Sequence, residues 1–387
     1  MASKTQERFL AKPVNHLYML LVSAGALTFI GLIMVFSASS IRAIDTQGSA
    51  ISIVLRQLLF VAISIPLAGY LSKLSLAKWE ILARFGLVIS ICLLGLLLIP
   101  GVGKTVNGNT NWINLKFVDV QPSELAKFLM ILWASYLLAR KEKAGRHNVN
   151  VFGLIGPGFL LIMAMIMYGR DLGTTSVIAA ILAGLLFVSG IQLRLFGWIT
   201  AAGALVLAGL IATSGYRAQR FLVFLDPFAP EDYKYAGWQP AHSLLGLASG
   251  GLFGVGLGGS RQKWGNLAEA HTDFIFSVIG EELGLVGTLA VLALLGTLIY
   301  SIFRIALRAQ EPMIRYACAG IACWFMAQSF LNIGSATSTL PVVGVTLPLV
   351  SYGGSALVAS LCAIGFVAGA ALRDPEVRKE IVKRRGA

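Results

Sequence analysis

Residues 216–284 decide how the chain is read. The stretch opens with Tyr216-Arg217-Ala218-Gln219-Arg220 and passes Asp226-Pro227 and a glycine-rich run from Gly250 to Gly259. It continues through Ser260-Arg261-Gln262-Lys263 to Glu269-Ala270-His271-Thr272-Asp273. From Phe274 the sequence turns apolar, broken only by Glu281-Glu282. A basic, glycine-rich loop thus delivers a carboxylate, Asp273, to the start of an apolar run long enough to cross a membrane.

Outside this stretch the chain reads as hydrophobic scaffold. Of its 387 residues 57% are hydrophobic and 13% charged, and apolar segments of about 18–20 residues recur, the length that crosses the hydrocarbon core. The expected fold is an all-α polytopic membrane protein of about ten transmembrane helices, near 17–37, 51–71, 82–100, 123–140, 150–169, 173–190, 195–213, 273–303, 314–335 and 347–371. It forms a single integral membrane domain, 1–387. An even number of spans puts both termini on one side. With the termini inside, twenty Lys and Arg face the cytoplasm and nine lie outside, while Arg56 and Lys127 fall within spans. That bias places the termini in the cytoplasm. It makes 214–272, between helices 7 and 8, a large extracytoplasmic loop, and 373–387 a basic cytoplasmic tail suited to anionic lipid. The net charge of +13 follows this topology, so no nucleic-acid partner is expected. Cys92, Cys318, Cys323 and Cys362 lie in spans with no CxxC pair, which argues against a disulfide framework or zinc site. The polar first 16 residues lack a following small-residue cleavage site and read as retained. Span eight is longer than a bilayer needs, so it should tilt or project.

Ionisable groups in or at the ends of spans are candidates for function. Asn107-Gly108-Asn109-Thr110-Asn111-Trp112 reads as a turn-rich outer loop leading into Gln121-Pro122-Ser123-Glu124-Leu125-Ala126-Lys127. Pro122 and Glu124 suit a helix start, but Glu124 and Lys127 share a helix face, and a lysine one turn into a span needs a partner. Arg170-Asp171 reads as a local ion pair or a site. Arg217 and Arg220 read as a solvated face or as bidentate phosphate ligands. The glycines from Gly254 to Gly259, with Arg261 and Lys263, could bring backbone amides to an anion, though no Walker sequence is present. Asp273 is either the N-cap of span eight or a general base, with His271 beside it. Pro and Gly from Asn332 to Ser355 break the pattern where membrane depth demands protein cover or a cavity, so Ser351 and Ser355 fall in an unwound segment lining a groove.

Taken together, Gln121-Pro122-Ser123-Glu124, Asp171-Leu172-Gly173-Thr174, Glu269 to Phe276, Glu281-Glu282-Leu283-Gly284 and Pro341 to Ser355 resemble the SEDS proteins, the bacterial shape, elongation, division and sporulation factors. The resemblance runs nearly the whole chain in order. It implies a ten-helix membrane fold and peptidoglycan glycosyltransferase activity, with lipid II polymerised into β-1,4 glycan strands and undecaprenyl diphosphate released. It places the essential acid on Asp273. Val106 to Trp112 and Ser260 to Trp264 are more similar to the division enzymes than to the elongation enzymes, which implies septal synthesis at the bacterial inner membrane. Implied partners are a class B penicillin-binding protein supplying the transpeptidase and other divisome membrane proteins. Asn111 stands where many members have Arg, Ala268 where many have Pro, and Arg170 where Pro is usual. The Ala268 departure suggests a less rigid approach to Asp273.

The expected chemistry is inverting glycosyl transfer at the outer face. Asp273 takes the acceptor hydroxyl proton. Gln121, Ser123, Glu124, Lys127, Arg217, Arg220, Lys263, His271, Ser351 and Ser355 make up the candidate substrate-binding set, with Arg217, Arg220 and Lys263 as outer-face partners of the departing diphosphate. A divalent cation, magnesium or manganese, could bridge the diphosphate, but no ligand spacing marks a metal site. The rival expectations are a lipid II flippase, a division scaffold, or the elongation polymerase of the same family.

Overall fold

The computed structural model describes residues 12–385 except 100, 107–108, 115–117, 146–148 and 214; the side chains of 47, 106, 207, 210, 216, 217 and 385 are also outside the described residues. Every expected span is matched by a helix. In order these are α1 (Pro13–Gln47), α2 (Ser52–Ser72), α3 (Leu76–Gly95), α4 (Pro122–Lys143), α5 (Val151–Tyr168), α6 (Leu172–Val188) and α7 (Leu193–Ala212). The shorter α8 (Gly215–Val223) and α9 (Trp238–Ser249) follow, then α10 (Ile275–Arg308), α11 (Pro312–Ala336), α12 (Gly354–Arg373) and a tail helix α13 (Pro375–Arg385). Proline opens α1, α4 and α11, where its missing N–H costs nothing and its fixed φ suits the first turn. The side chains of Asn150 and Asp171 cap α5 and α6. Seven helices are long and apolar enough to cross a membrane by length and composition, and α6 and part of α7 are shorter apolar helices. The fold is a multi-pass α-helical membrane protein.

Helices α4, α11 and α12 form the middle of the bundle. Nearly all of α4 is buried, although its charges keep its hydropathy below that of the outer helices. By contrast, α2 and α3 expose apolar side chains such as Leu55, Leu59, Ile63, Phe85 and Val88. An apolar outside around a partly polar centre is the arrangement a lipid solvent selects. Lys12 reaches Glu380 at 3.6 Å, so the start of α1 and the tail helix lie together.

Three features depart from the sequence expectations. The outer loop before α4 is a small antiparallel sheet, β1 (Gly103–Val106), β2 (Asn109–Asn114) and β3 (Asp119–Val120), in the order β1-β2-β3. Thr105 pairs with Thr110, and Ile113 with Val120. The dipeptide Asn107-Gly108, itself outside the described residues, is a strong hairpin signal that a purely helical reading passes over. The second departure is in α12, which begins at Gly354, not near 347. Residues 340–353 are non-helical and packed inside the protein.

The third concerns α10. It neither tilts nor projects as one rod, because Gly284 breaks it with φ 69° and ψ −164°. The break lies about 14 Å along the helix from Ile275 at 1.5 Å per residue, so opened backbone groups there need partners. The glycine-rich loop supplies them. Val255 and Gly256 donate to the carbonyls of Glu281 and Glu282, and Leu285 and Val286 donate to those of Gly251 and Leu252. The glycines allow contact between backbones: a Cβ on Gly250 or Gly254 would meet the carbonyl oxygens of Gly280 and Glu282. The amides of this run that bond the broken helix are thereby committed, and they do not form the anion cradle expected from the sequence.

This packing separates two glycines with the same backbone problem. Gly254 (φ 82°) is walled in, whereas Gly256 (φ 92°) has open space where a Cβ would go. Gly256→Ala should lower stability by about 1 kcal/mol from its positive φ alone. Gly254→Ala should add the overpacking cost of about 1–3 kcal/mol. Melting of the purified variants in detergent checks the order, and equal melting temperatures would refute the close packing.

Candidate active site

The N-terminal end of α10, the 340–353 segment, the β-sheet and the ends of α1, α2, α4, α5, α6 and α8 surround a cavity of about 1480 Å³. Asp273 lines it together with Glu269, His271 and Thr272, and Arg42, Arg56, Lys104, Arg170 and Arg220 contribute positive charge.

A tight turn presents Asp273. The carbonyl of Glu269 accepts from the amides of Thr272, Asp273 and Phe274 at 3.1, 3.1 and 3.3 Å. The Glu269 side chain accepts from Thr272 Oγ1 at 3.0 Å and from Arg42 at 3.0 Å, and Glu269 itself takes φ 55°. The approach to Asp273, which has Ala268 before Glu269, is therefore held by hydrogen bonds. Asp273 is not a helix cap: the N-cap residue of α10 is Phe274, with no side-chain cap bond. Among the described residues no donor bonds the half-buried Asp273 carboxylate, and Gly344 is the residue whose Cβ position lies 3.5 Å from it.

The opposite wall is tied to this turn through α11. Asn332 Nδ2 donates to the carbonyl oxygens of Asp273 (2.8 Å) and Val345 (2.7 Å). One helical turn earlier, Gln328 Nε2 donates to Thr346 O at 2.9 Å and Oγ1 at 3.1 Å. Its Oε1 accepts from Lys127 Nζ at 2.8 Å, and Lys127 also bonds Glu124 at 2.8 Å. Gln328 and Asn332 are four residues apart and so share a face.

The candidate residues divide on this geometry. Asp273, His271, Arg220, Gln121 and Ser355 line the cavity. Gln121 donates to Asp171 from its side chain (3.1 Å) and to Ser355 Oγ from its backbone (2.9 Å). Glu124 and Lys127 are paired as expected, but both are buried behind the wall, and Lys127 does not line the cavity. Lys263 is a correction. Its ammonium is buried against Glu282 (3.2 Å), Ser37 (3.2 Å) and the Gly258 carbonyl (2.7 Å), away from the cavity. Two adjacent acids inside a span need donors, and the loop provides them: Ser260 Oγ and the Arg261 amide bond Glu281, and Lys263 bonds Glu282. Ser351 is also structural, donating to Thr272 O at 2.6 Å and accepting from Leu347 N at 2.8 Å. Ser123 borders a separate, smaller cavity, with its hydroxyl buried. Arg217 lies on α8, and its side chain is outside the described residues.

Sequence reasoning missed other parts of the wall. Arg42 extends from the last turns of α1, which runs ten residues beyond its expected end. Asp171 does not pair with Arg170 among the described residues; it accepts from Thr174 N and Oγ1 at 2.8 Å each. The only sequence signal for Arg56 was a charge inside a span. Among the described residues no three His, Cys, Asp or Glu side chains gather as a metal cluster. Lys104–Asp119 (2.7 Å) and Arg42–Glu269 pair two of the cavity's four described carboxylates.

Electrostatics set Asp273 apart. Burial, reinforced by the charge of Glu269 and then Asp171 and opposed by Arg220, pushes it up to about 7. His271 is pushed down to about 4 by burial, against the pull of Glu269, so it is neutral. Burial pushes Glu269 up, but Arg42 more than offsets this and holds it below the usual carboxylate range. The site thus carries an ionised glutamate, a neutral imidazole and an aspartate poised near neutrality.

Residues 17–374 match the FtsW/RodA/SpoVE family, described as "Cell cycle protein". The chain is 39% identical over 371 residues to a protein of Mycobacterium tuberculosis (strain ATCC 25618 / H37Rv) named "Probable peptidoglycan glycosyltransferase FtsW", covering 95% of this chain and 70% of that one. It is 37% identical over 340 residues to "Stage V sporulation protein E" of Bacillus subtilis (strain 168), covering 87% and 91%. Among solved structures it is similar to a chain from "Structural coordination of polymerization and crosslinking by a peptidoglycan synthase complex" (TM-score 0.75, 28% identity, 92% and 98% covered). It is also similar to the Thermus thermophilus "Rod shape determining protein RodA" (TM-score 0.68, 28% identity, 92% and 96% covered).

The raised Asp273 has a consequence for stability. An acid near 3.8 when unfolded and about 7 when folded favours the unfolded chain once ionised there. This penalty is absent below pH 4, grows between pH 4 and 7 and is constant above, reaching on the order of 4 kcal/mol. Asp273→Asn should therefore melt higher than the parent protein at pH 8, with the gap closing toward pH 4. A gap that does not change with pH would contradict the shift.

Proposed function

The chain belongs to the FtsW/RodA/SpoVE cell cycle protein family, and on that premise we propose how its cavity carries out the chemistry of a peptidoglycan glycosyltransferase. The substrate is lipid II, and Asp273 is the general base. It removes the proton from the acceptor sugar hydroxyl, whose oxygen attacks the anomeric carbon of the donor. The bond from that carbon to the diphosphate oxygen breaks, and undecaprenyl diphosphate leaves with the electron pair. The configuration inverts, giving a β-1,4 link. The observation that carries this reading is the Asp273 carboxylate: partly desolvated, without a donor among the described residues, and open to a cavity whose wall bears Arg56, Arg170 and Arg220. A base near 7 is substantially ionised at neutral pH and is a stronger proton acceptor than an ordinary aspartate. The arginines stabilise the negative charge that grows on the leaving diphosphate.

The remaining candidates act by support. Gln121 and Ser355 join the start of α4 to the start of α12 at the cavity edge. Glu124 and Lys127 hold Gln328, and through it Thr346. A magnesium or manganese ion would draw its oxygen ligands largely from the diphosphate, and no step here runs through it. The chain lies in the bacterial inner membrane with its termini in the cytoplasm. Its Lys and Arg distribution supports that orientation, and the Lys12–Glu380 contact supports termini on one side. In this reading it works at the division septum with a class B penicillin-binding protein, which supplies the cross-linking activity, and with other divisome membrane proteins.

Polymerisation of labelled lipid II by the purified protein, with and without that transpeptidase, tests the reading. Glycan ladders from the parent protein and none from an equally folded Asp273→Asn variant are expected. The rate should rise with pH toward about 7 and then level, because only the ionised acid accepts the proton. Ladders from both proteins would move the base elsewhere, and no ladders under any condition would favour a flippase or scaffold.

The buried pair gives a second expectation. Glu124→Gln should slow polymerisation more than Asp119→Asn, because Glu124 is the buried partner of Lys127, whereas Asp119 pairs with Lys104 at the exposed sheet edge. Removing one partner of a buried pair costs about 3–5 kcal/mol, against about 0–1 kcal/mol for a surface pair. Comparable, near-parental rates for both variants would remove the ordering role of Glu124.

A further inference from the structure

The register of the three-stranded sheet sorts its side chains between two faces. Lys104 stands opposite Trp112, and Asn114 opposite Asp119. Directly opposed residues share a face, as do residues two apart on one strand. Lys104, Trp112, Asn114 and Asp119 therefore project from one face, and all of them line the main cavity that Asp273 also lines. Asn109, beyond the irregularity that follows Lys104, lines it as well. Gly103 and Thr110 line the separate, smaller cavity instead.

Trp112 is half-buried. Among the described residues its ring makes no aromatic or cation contact, and its indole N–H has no acceptor yet is not sealed from the cavity. The side-chain amide of Asn109 is in the same state, accessible and without a partner among the described residues. An apolar ring on a polar wall gains burial only when a ligand covers it. Its N–H and the neighbouring amide then supply donors and an acceptor at the ligand's edge.

The chemistry of this face narrows the occupant. Lys104 is balanced by Asp119 at 2.7 Å, so the face does not draw a phosphate. A polyprenyl chain would cover the indole but leave the Asn109 amide desolvated and unpaired, which costs free energy. A pyranose matches both parts. The C–H groups on one side of the sugar lie flat against an aromatic ring, and the hydroxyl and acetamido groups at its rim exchange hydrogen bonds with an amide and an N–H.

We infer that this face of the β-sheet is a saccharide platform, on which Trp112 stacks against one pyranose of the substrate while its N–H and Asn109 bond the sugar's rim. The inference rests on the lipid II reading above and names the residues that read its sugar. The same chemistry recognises the disaccharide of lipid II and a sugar of the nascent strand.

The first test needs no catalysis. Tetra-N-acetylglucosamine, a β-1,4-linked oligomer without lipid or phosphate, is added to the protein in nanodiscs, and saturation transfer to its ring protons is followed by NMR. The parent protein should give a signal that falls about fivefold or more in Trp112→Leu, which loses both the stacking surface and the N–H. Asn109→Ala should weaken it about threefold, the scale of one hydrogen bond, and covers the case in which Trp112→Leu folds poorly. Polymerisation of lipid II by Trp112→Leu should slow about tenfold, with Trp112→Phe intermediate because it keeps a ring but no donor. The pH dependence set by Asp273 should not move. A slowed first coupling of two lipid II molecules assigns the platform to the lipid II disaccharide. A parental first coupling followed by shortened strands assigns it to the nascent glycan. Saturation transfer undiminished in both variants, or absent from the parent, would overturn the inference while leaving the polymerase reading intact. So would a rate loss that disappears with lipid II lacking its stem peptide, because the face would then read peptide. Absence of ladders from the parent would overturn the polymerase reading itself.

Discussion

Unwound backbone inside a membrane protein must be bonded by protein, because lipid offers neither donor nor acceptor. Asn332 meets that requirement where it matters most. Its one side-chain amide bonds the carbonyl of Asp273 on one side and of Val345 on the other, which fixes the carboxylate-bearing turn against the non-helical segment facing it. Both segments are irregular, so neither could hold the other by a helical ladder. Gln328, one turn away, repeats the arrangement toward Thr346. The central helix α11 is therefore the rigid element from which the cavity walls are hung.

The same requirement explains how the charges are used. Lys127 makes two hydrogen bonds and lies 5.1 Å from the ring centroid of Trp324, and Lys263 has three acceptors. Neither retains an open face for a ligand. A lysine that deep exists because acids on the same or a neighbouring helix need it. The cations that line the cavity are, apart from Lys104, arginines at or near the ends of helices, and their planar donors are of the kind that suits phosphate. Burial decides between structural and functional charge, and burial cannot be read from a basic residue's position in a loop.

This accounts for what the sequence made legible. Apolar length marked all ten spans, and the spacing of Glu124 and Lys127 marked their pairing, because both follow from local geometry. The turn bearing Asp273 was legible through its neighbours in sequence, Glu269 and His271. The break at Gly284 was not, because it depends on residues 251–256 returning to bond the opened helix. The assignment of Lys263 to a diphosphate failed for a similar reason: its partner Glu282 sits on a helix whose distance from the loop no spacing rule gives. Arg42 and Arg56, more than two hundred residues from Asp273 in sequence, join it only through the packing of α1 and α2.

The proton chemistry follows from the same packing. Glu269 stays ionised because Arg42 is beside it, and its charge then disfavours ionisation of Asp273 four residues on. Neutral His271, between them, adds no charge that would undo this. Asp273 thus gains affinity for a proton from a neighbour whose own carboxyl is held below the usual range. In the proposed mechanism the glycosyl bond breaks with its electron pair on oxygen, which adds a further negative charge to the two the diphosphate already carries. That added charge would favour the protonated aspartate, so in the proposed mechanism proton uptake at Asp273 and departure of the diphosphate reinforce each other electrostatically. In the same proposal the arginines oppose part of this effect at the diphosphate end, which separates the roles: arginine charge would stabilise the leaving group, and glutamate charge raises the proton affinity of Asp273.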